Sequence, residues 1–215
     1  FILVMAINYY DLITTEELER DSLESPSNLD LQTNVEEFEA IVGDVTDTID
    51  SYLDRGLIVK PYTKRYKYED WKWDYSQDRF YAWAHEWPVV QITSTTSSFT
   101  LSDDKRRLFS ESPVYAEDIS YFAGYRRADQ SLSDLQAVDG LSALTTLPSL
   151  LPRDIRRAAI KLAVFEIQIM ITGMTTRMDR TQRIAGGNID LRAPITDQRP
   201  VILNQIRRYR RMIVG

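Results

Sequence analysis

The chain has 215 residues, 43% hydrophobic and 27% charged, with 32 acidic against 26 basic side chains and a net charge of −6. This is the composition of an ordinary globular protein, long enough for one full core with an appended subdomain. There is no cysteine, which excludes disulfides and thiolate chemistry and is compatible with a reducing compartment. A single histidine, His85, leaves almost no material for a multi-histidine metal site or a Ser-His-Asp triad.

The charge is segregated along the chain. Residues 1–54 hold 14 acids against one base, Arg20, a net of −13, whereas residues 153–215 hold 13 bases against five acids, a net of +8. Ends of opposite charge pair with one another, or with further copies of the chain, unless both remain solvated. The first ten residues, Phe1 to Tyr10, begin apolar but are too short to span a bilayer and lack the basic flank and small-residue cleavage site of a signal peptide. Met5 is a candidate natural start.

Thr14-Thr15-Glu16-Glu17 predicts a short helix to Arg20, with a threonine cap and acids in the first turn. Ser25-Pro-Ser-Asn28 predicts a loop. A clear amphipathic helix follows over about 33–55. Thr33 and Glu36 have capping-box spacing, and Val35, Phe38, Ile41, Val42, Val45, Ile49, Tyr52 and Leu53 form one apolar stripe. Gly56 is the expected stop. The opposite face is acidic, with Glu36, Glu37, Asp44, Asp47 and Asp54.

Ten of the 23 aromatic residues, including all four tryptophans, fall between Tyr62 and Trp87. Alternation from Tyr62 to Tyr68, the run Phe80–His85, and Trp87-Pro88-Val89-Val90 through Thr93 predict strands, Pro88 sitting at a strand entry. Shorter strands are expected at Phe99–Leu101, Leu108–Phe109, Val114–Tyr115 and Ile119–Tyr125. Two readings of the aromatics are open: a stacking platform for single-stranded nucleic acid, or the packed face of a sheet or protein interface. Asp70, Asp74, Asp78 and Glu86 interrupt the bases there and favour the second. Residues 126–151 predict a long surface loop with a short helix near Leu132–Val138. Pro152 then opens a central helix over about 152–172, with Gly173 as its stop. Arg183 to Arg192, with Gly186-Gly187, predicts an arm or hairpin. A last helix over about 200–212 carries Arg207, Arg208, Arg210 and Arg211 near its end.

Chemistry finds little to work with. Ala185-Gly186-Gly187-Asn188 lacks the lysine and the strand-to-helix setting of a phosphate loop. Asp103-Asp104 and Glu36-Glu37 lie in a predicted turn and an exposed helix, and His85 reads as a packed or interfacial side chain. No catalytic residue, metal site or cofactor is expected. The arginines of 207–211 are the best nucleic-acid candidate, and pairing with an acidic protein surface is the competing explanation.

In order, the chain presents an acidic amphipathic helix, an aromatic strand region, Trp87-Pro88-Val89-Val90, Tyr121-x-Ala-Gly-Tyr125, Leu151-Pro-x-Asp-Ile-x-x-Ala158 and a terminal Arg-Arg-Tyr-Arg-Arg. This order resembles the head–tail connector, or adaptor, proteins of tailed bacteriophages, small ring-forming proteins that bind beneath the portal. The chain departs from them in its longer segment between Tyr125 and Leu151 and in its weight of tryptophan. The resemblance implies an α+β, mainly α fold: a small helical bundle with a β-hairpin or small antiparallel sheet inserted over about 61–125. A single connector domain over 1–215 is expected, its helical core at 13–56 and 151–213. The implied protein is a structural virion component and not an enzyme. It forms a ring, typically of twelve copies, in the neck between capsid and tail, assembled in the host cytoplasm. Its partners would be the portal, a downstream neck or tail protein, and genomic DNA passing through the channel without sequence-specific binding. Portal contacts are expected at Arg199, Ile206, Arg207, Arg208, Tyr209, Arg210 and Arg211. The channel lining is expected at Glu36, Glu37, Asp44 and Asp47, and the partner or inter-subunit interface at Trp71, Trp73, Tyr75 and Trp83. The alternative is a nucleic-acid-binding module using the arginine-rich helix and the aromatic sheet.

Overall fold

The computed structural model describes residues 9–22, 35–94, 98–113, 117–184 and 198–210. They fall into two compact units: the described parts of 1–54 and 152–215, and residues 55–151.

The first unit is helical. Helix α1 (Thr15–Ser22) starts from a capping box: the Glu17 amide donates to Thr14 Oγ1 at 3.1 Å, and the Thr14 amide donates back to Glu17 Oε2 at 3.3 Å. Helix α2 (Val35–Leu53) buries Phe38, Val42, Val45, Ile49 and Leu53, the predicted stripe. Thr46, on the same face, accepts a bond from the Leu12 amide at 3.1 Å and donates to the Val42 carbonyl at 3.0 Å, so its buried hydroxyl is satisfied. Gly56 is not the stop. Asp54 takes the left-handed conformation, with φ of 55°, immediately after Leu53.

The long helix designated α4 (Arg153–Ile184) lies against α1, α2 and α5 (Arg199–Asn204) and buries Ile155, Ala158, Ala159, Leu162 and Phe165. Its backbone remains helical through Gly173, because an interior glycine weakens a helix by only about 1 kcal/mol and ends it only by adopting a non-helical conformation. The expected continuous helix over 200–212 is broken. After α5 the chain tightens through i→i+3 bonds into a 3-10 turn at Arg207–Tyr209, while Ile202 and Ile206 ahead of it are both buried. The Thr33 capping box, the Ser25–Asn28 loop, the strand at Val114–Tyr115, the arm between residues 185 and 192 and Arg211 lie outside the described residues.

The second unit corrects the expected fold class. The protein is not a mainly helical bundle with an inserted β-hairpin or small sheet. It is α+β, with seven strands in two antiparallel sheets among the described residues. The first sheet has the order β1 (Lys60–Tyr66), β7 (Glu117–Ala123), β4 (Val89–Ser94). The second has the order β2 (Lys72–Asp74), β3 (Arg79–Trp83), β6 (Arg107–Ser110), β5 (Thr100–Leu101). The reason is that the strands carry a core of their own. Tyr66, Trp71, Ala82, Leu108, Ile119 and Tyr121 form one buried cluster, with Tyr62 stacked on Tyr121 at 6.1 Å and Trp71 stacked on Phe99 at 5.7 Å. An inserted hairpin has no such cluster, since two strands alone bury too little.

Residues 126–151 are, as expected, a largely exposed irregular segment with one short helix, anchored by a few buried leucines. They contain α3 (Leu132–Gln136), capped by Ser131 and Asp134, and bury Leu135, Leu141 and Leu144. The Gln91 side chain of β4 fastens them, accepting from the Thr145 amide at 2.7 Å and donating to the Ala143 carbonyl at 3.2 Å.

The Ala123-Gly124-Tyr125 motif closes the first sheet. Gly124 has φ of 125°, and a Cβ on it would lie 2.7 Å from the Val59 backbone, so only glycine fits. There the Tyr125 amide donates to the Leu57 carbonyl at 2.8 Å, and the Val59 amide donates to the Tyr125 carbonyl at 2.9 Å. One residue on, the Arg126 amide donates to the Ser149 carbonyl at 3.0 Å and the Leu151 amide donates to the Arg126 carbonyl at 2.8 Å. The Ala-Gly-Tyr motif and Leu151 are therefore two sides of one backbone joint.

Burial pushes the hydroxyls of Tyr66 and Tyr121 above the usual tyrosine range. A raised folded-state pKa means the folded protein holds these protons more tightly than the unfolded chain. Their contribution is therefore complete below about pH 10 and is lost as pH rises beyond it. The melting temperature is expected to stay level between about pH 8 and pH 10 and to fall above that, with a shallower fall for Tyr66→Phe. A thermal melt series across alkaline pH checks this, and equal slopes for the two proteins would contradict it.

Candidate functional site

Three surfaces carry the side chains that the sequence singles out, and they differ in how far the fold neutralises them. The first is the arginine-rich end of the helical unit. Arg199, in α5, makes a bidentate pair with Glu166 of α4, Nε to Oε1 at 2.6 Å and Nη2 to Oε2 at 2.8 Å. Arg208 pairs with Asp154, and Arg156 pairs with Glu17. Ile206 is buried, Tyr209 is half-buried, and Arg207 and Arg210 are exposed. Arg210 lies 6.0 Å from the Tyr52 ring. The arginines thus do not form one continuous basic helix face. Part of the positive charge of residues 153–215 is spent inside the unit on acids at 17, 154 and 166.

The second surface is the outer face of α2. Glu36, Asp44 and Asp47 are exposed there together with Glu39, which the sequence-based site had not included, while the Glu37 side chain lies outside the described residues. Beside it runs a groove of about 530 Å³, lined by Ile41, Val45, Leu162 and Ile169 with the Glu166–Arg199 pair among its polar residues.

The third surface is the aromatic hairpin of the second unit. The sequence groups Trp71, Trp73, Tyr75 and Trp83, and the fold separates them. Trp71 is 7% exposed and belongs to the core, whereas Trp73 is 37%, Trp83 39% and Tyr75 91% exposed. Tyr75 stands at the tip between β2 and β3. That tip is set by Asp74, whose Oδ1 accepts from the Ser76 amide at 2.9 Å and from its hydroxyl at 2.6 Å. The Ser76 hydroxyl is also what chiefly holds the Asp74 carboxyl below its ordinary range. The two exposed tryptophans lie on opposite faces of the sheet. Trp73 is opposite Phe80 and meets its ring at 4.7 Å, edge to face. Trp83 is opposite Arg107 on the other face, together with Tyr81 and Phe109. The Arg107 guanidinium lies 5.5, 5.8 and 5.4 Å from the rings of Tyr81, Trp83 and Phe109, and pairs with Asp74 at 3.4 Å. Arg107 escaped the sequence-based site. Its signal was the i, i+2 spacing with Phe109 on one strand, which becomes informative only once the cross-strand partners are known.

A further cluster was also missed. Arg55 and Glu86 are buried with Nε and Oε2 3.8 Å apart, and the Arg55 guanidinium lies 4.2 Å from the Trp87 ring centre. Burial lowers the Arg55 pKa, opposed by the charge of Glu86. His85, beside them, is exposed. Among the described residues, no group of three or more His, Cys, Asp or Glu side chains is placed to hold a metal ion. No described helix is long and apolar enough to cross a membrane.

No protein family and no curated protein matches the chain in sequence. Among solved structures it is similar to a chain in the neck of an empty GTA particle computed with C6 symmetry, at 17% identity and a TM-score of 0.49 over 99% of this chain and 96% of that one. It is likewise similar to a chain in the virion of a native gene transfer agent particle, at 16% identity and a TM-score of 0.48, with the same coverage of both chains.

The different burial of the four aromatics predicts a split in stability. Trp71→Ala is expected to cost about 3–5 kcal/mol, as for a large side chain deleted from a core. Tyr75→Ala and Trp83→Ala should each stay within about 1 kcal/mol of the parent. Urea denaturation of the three variants measures this, and a loss at Tyr75 comparable to that at Trp71 would show that the tip is not a free surface.

Proposed function

We propose that this chain is a structural protein of a phage-type particle neck, a head–tail connector whose copies form a ring beneath the portal and offer a docking surface to the next neck or tail protein. The observation that carries this reading is the aromatic hairpin. Trp73, Tyr75 and Trp83 face solvent around a framework already set by the Asp74–Ser76 turn and the Arg107 stack. Tryptophan, tyrosine and arginine on a rigid support are the residues that anchor protein interfaces. The order of sequence motifs shared with connector proteins supplies the particular assembly, and the joint of Gly124 with residues 57–59 and 149–151 gives two of those motifs a common structural purpose.

In this reading the hairpin faces the downstream protein or the neighbouring copy. The portal contact falls to Arg207 and Arg210, which stay exposed while Arg199 and Arg208 are paired internally. Genomic DNA passes through the ring without sequence-specific binding, and neither a catalytic step nor a cofactor enters. Removing residues 199–215 as a block is a poor test of the portal contact, because Ile202 and Ile206 belong to the helical core.

The decisive experiment is electron microscopy of lysates from a phage whose copy of this gene is disrupted. Free tails beside heads that have lost their DNA, or that fail to accept tails, are expected, and normally joined virions would overturn the reading. Complementation with Arg207→Glu/Arg210→Glu should leave the melting temperature of the purified chain unchanged and still yield unjoined heads. Full complementation by that variant would remove the portal assignment alone.

A further inference from the structure

We propose that the outer face of α2 is covered, in the assembled particle, by strand β1 of a second copy of this chain. This rests on the ring reading above and names the contact between neighbouring copies.

Residues 35–54 carry seven acidic side chains and no basic one. Glu36, Glu39, Asp44 and Asp47 share the exposed face, and the pairs Glu36/Glu39 and Asp44/Asp47 are three residues apart, where like charges repel across a turn. Asp50 and Asp54 sit at the carboxyl end, where the helix dipole disfavours anions. Three arginines of the same unit, Arg156, Arg199 and Arg208, are taken by Glu17, Glu166 and Asp154. Among the described residues, Glu36, Glu39, Asp44 and Asp47 form no ion pair. The folded chain thus keeps a helix whose charges oppose its own stability.

Gly43 adds an independent observation on the same face, between Glu39 and Asp47. A Cβ placed there meets no atom within 4 Å. Nothing within the chain calls for a glycine at that point, although glycine is the poorest helix former after proline. Bare backbone in the middle of an exposed helix face allows another backbone to come close.

The complementary surface lies on the same polypeptide. Residues 60–67 hold four basic side chains, Lys60, Lys64, Arg65 and Lys67, and no acid. They lie on and just beyond β1, the outer strand of its sheet in the order β1-β7-β4. The lysines of this outer strand guard it against pairing with another strand while suiting it to an acidic partner. The acids beside these bases are Asp118 of β7, opposite Arg65, and Glu69, paired with Lys67. The acids of the helix face and the bases of residues 60–67 are complementary in charge, and such complementarity steers encounter and fixes register. Since the two surfaces differ, the contact is heterologous. Each copy offers its helix to one neighbour and its strand to the other, the geometry that generates rings when the rotation closes.

Two charge-reversed full-length chains test this in sedimentation velocity at low and at physiological salt. One carries Glu36→Lys, Asp44→Lys and Asp47→Lys, and the other carries Lys64→Glu and Arg65→Glu. Either alone sets like charge against like, so self-association should weaken at least tenfold relative to the unaltered chain. Mixed in equal amounts, the reversed helix of one meets the reversed strand of the other while the unaltered helix and strand also meet, so assembly should return. Thermal melts of both variants at the parent's temperature establish that lost assembly is not lost folding. The proposal is overturned if the unaltered chain stays monomeric at high concentration and low salt, or if the mixture fails to assemble. It is equally overturned if the variants assemble as the parent does, which would leave the acidic face open, as a channel lining would be. Separated heads and tails in the gene-disruption experiment would keep the ring reading even if these variants behaved like the parent.

Discussion

The second unit is organised around a place where two backbones touch. Gly124 ends β7 with a positive φ against the Val59 backbone, at a distance that admits no side chain. This contact lets the chain exchange hydrogen bonds between Tyr125 and residues 57 and 59, and its amide reaches the Pro88 carbonyl at 2.9 Å. Residues distant in sequence, those before β1, those before β4 and those after β7, therefore meet at one point. Arg126 extends the joint to Ser149 and Leu151, immediately ahead of α4. A side chain at 124 would add the strain of a left-handed conformation to a direct clash with main-chain atoms, which have no rotamer to escape into. The register of β1 against β7, with Lys60 opposite Ala123, starts from this joint.

Given that joint, each unit solves its packing with a different kind of side chain. The helical unit buries aliphatic stripes at helical spacing and closes three arginine–carboxylate pairs around α4 and its neighbours. Exposed and half-exposed pairs of this kind add little to stability, so their importance is more in deciding which charges are left over. They consume Glu17, Asp154 and Glu166 and leave α2 untouched. The sheets instead bury tyrosines and a tryptophan. The tyrosine hydroxyls are met inside, whereas Trp71 Nε1 is buried without a hydrogen-bond partner among the described residues. Tyr66 donates to the Trp83 carbonyl at 3.2 Å, and Tyr121 accepts from the Glu86 amide at 3.2 Å.

Much of the local structure was legible in the sequence. The threonine cap of α1, the stripe of α2, the entry of α4 and the alternation of β1 follow from spacing and capping rules, and the structure places them where those rules do. What was misjudged has identifiable causes. Strands were expected at 80–85, 99–101 and 108–109, where β3, β5 and β6 lie, and only the three-residue β2 was missed. Runs this short show their periodicity weakly and did not reveal two sheets with a core of their own. Their partnership depends on cross-strand neighbours such as Tyr81 opposite Phe109 and Ala82 opposite Leu108, contacts that no local window contains. Two stop signals were over-read. Asp54 took the left-handed position in place of Gly56, and Gly173 was carried through by the helix. The segment 126–151 is the loop and short helix it looked like, but its leucines have no regular spacing, so the burial of Leu135, Leu141 and Leu144 through turns and through the Gln91 side chain went unread.

The candidate surfaces were legible as residue types but not as neighbours. Trp71 and Trp73 are two residues apart and on composition alone equally suited to an interface, yet one is core and the other is half-open, because the chain passes from a 3-10 turn into β2 between them. Arg107 makes the difference on the outer face of that sheet. Its guanidinium lies over three rings from two strands while its charge is met by Asp74, so the aromatic side chains there are already restrained before any partner arrives. Association costs part of its free energy in freezing side chains, and rings fixed in advance avoid much of that cost. An aromatic surface restrained in this way would lose little further side-chain entropy on docking, as the proposed interface requires.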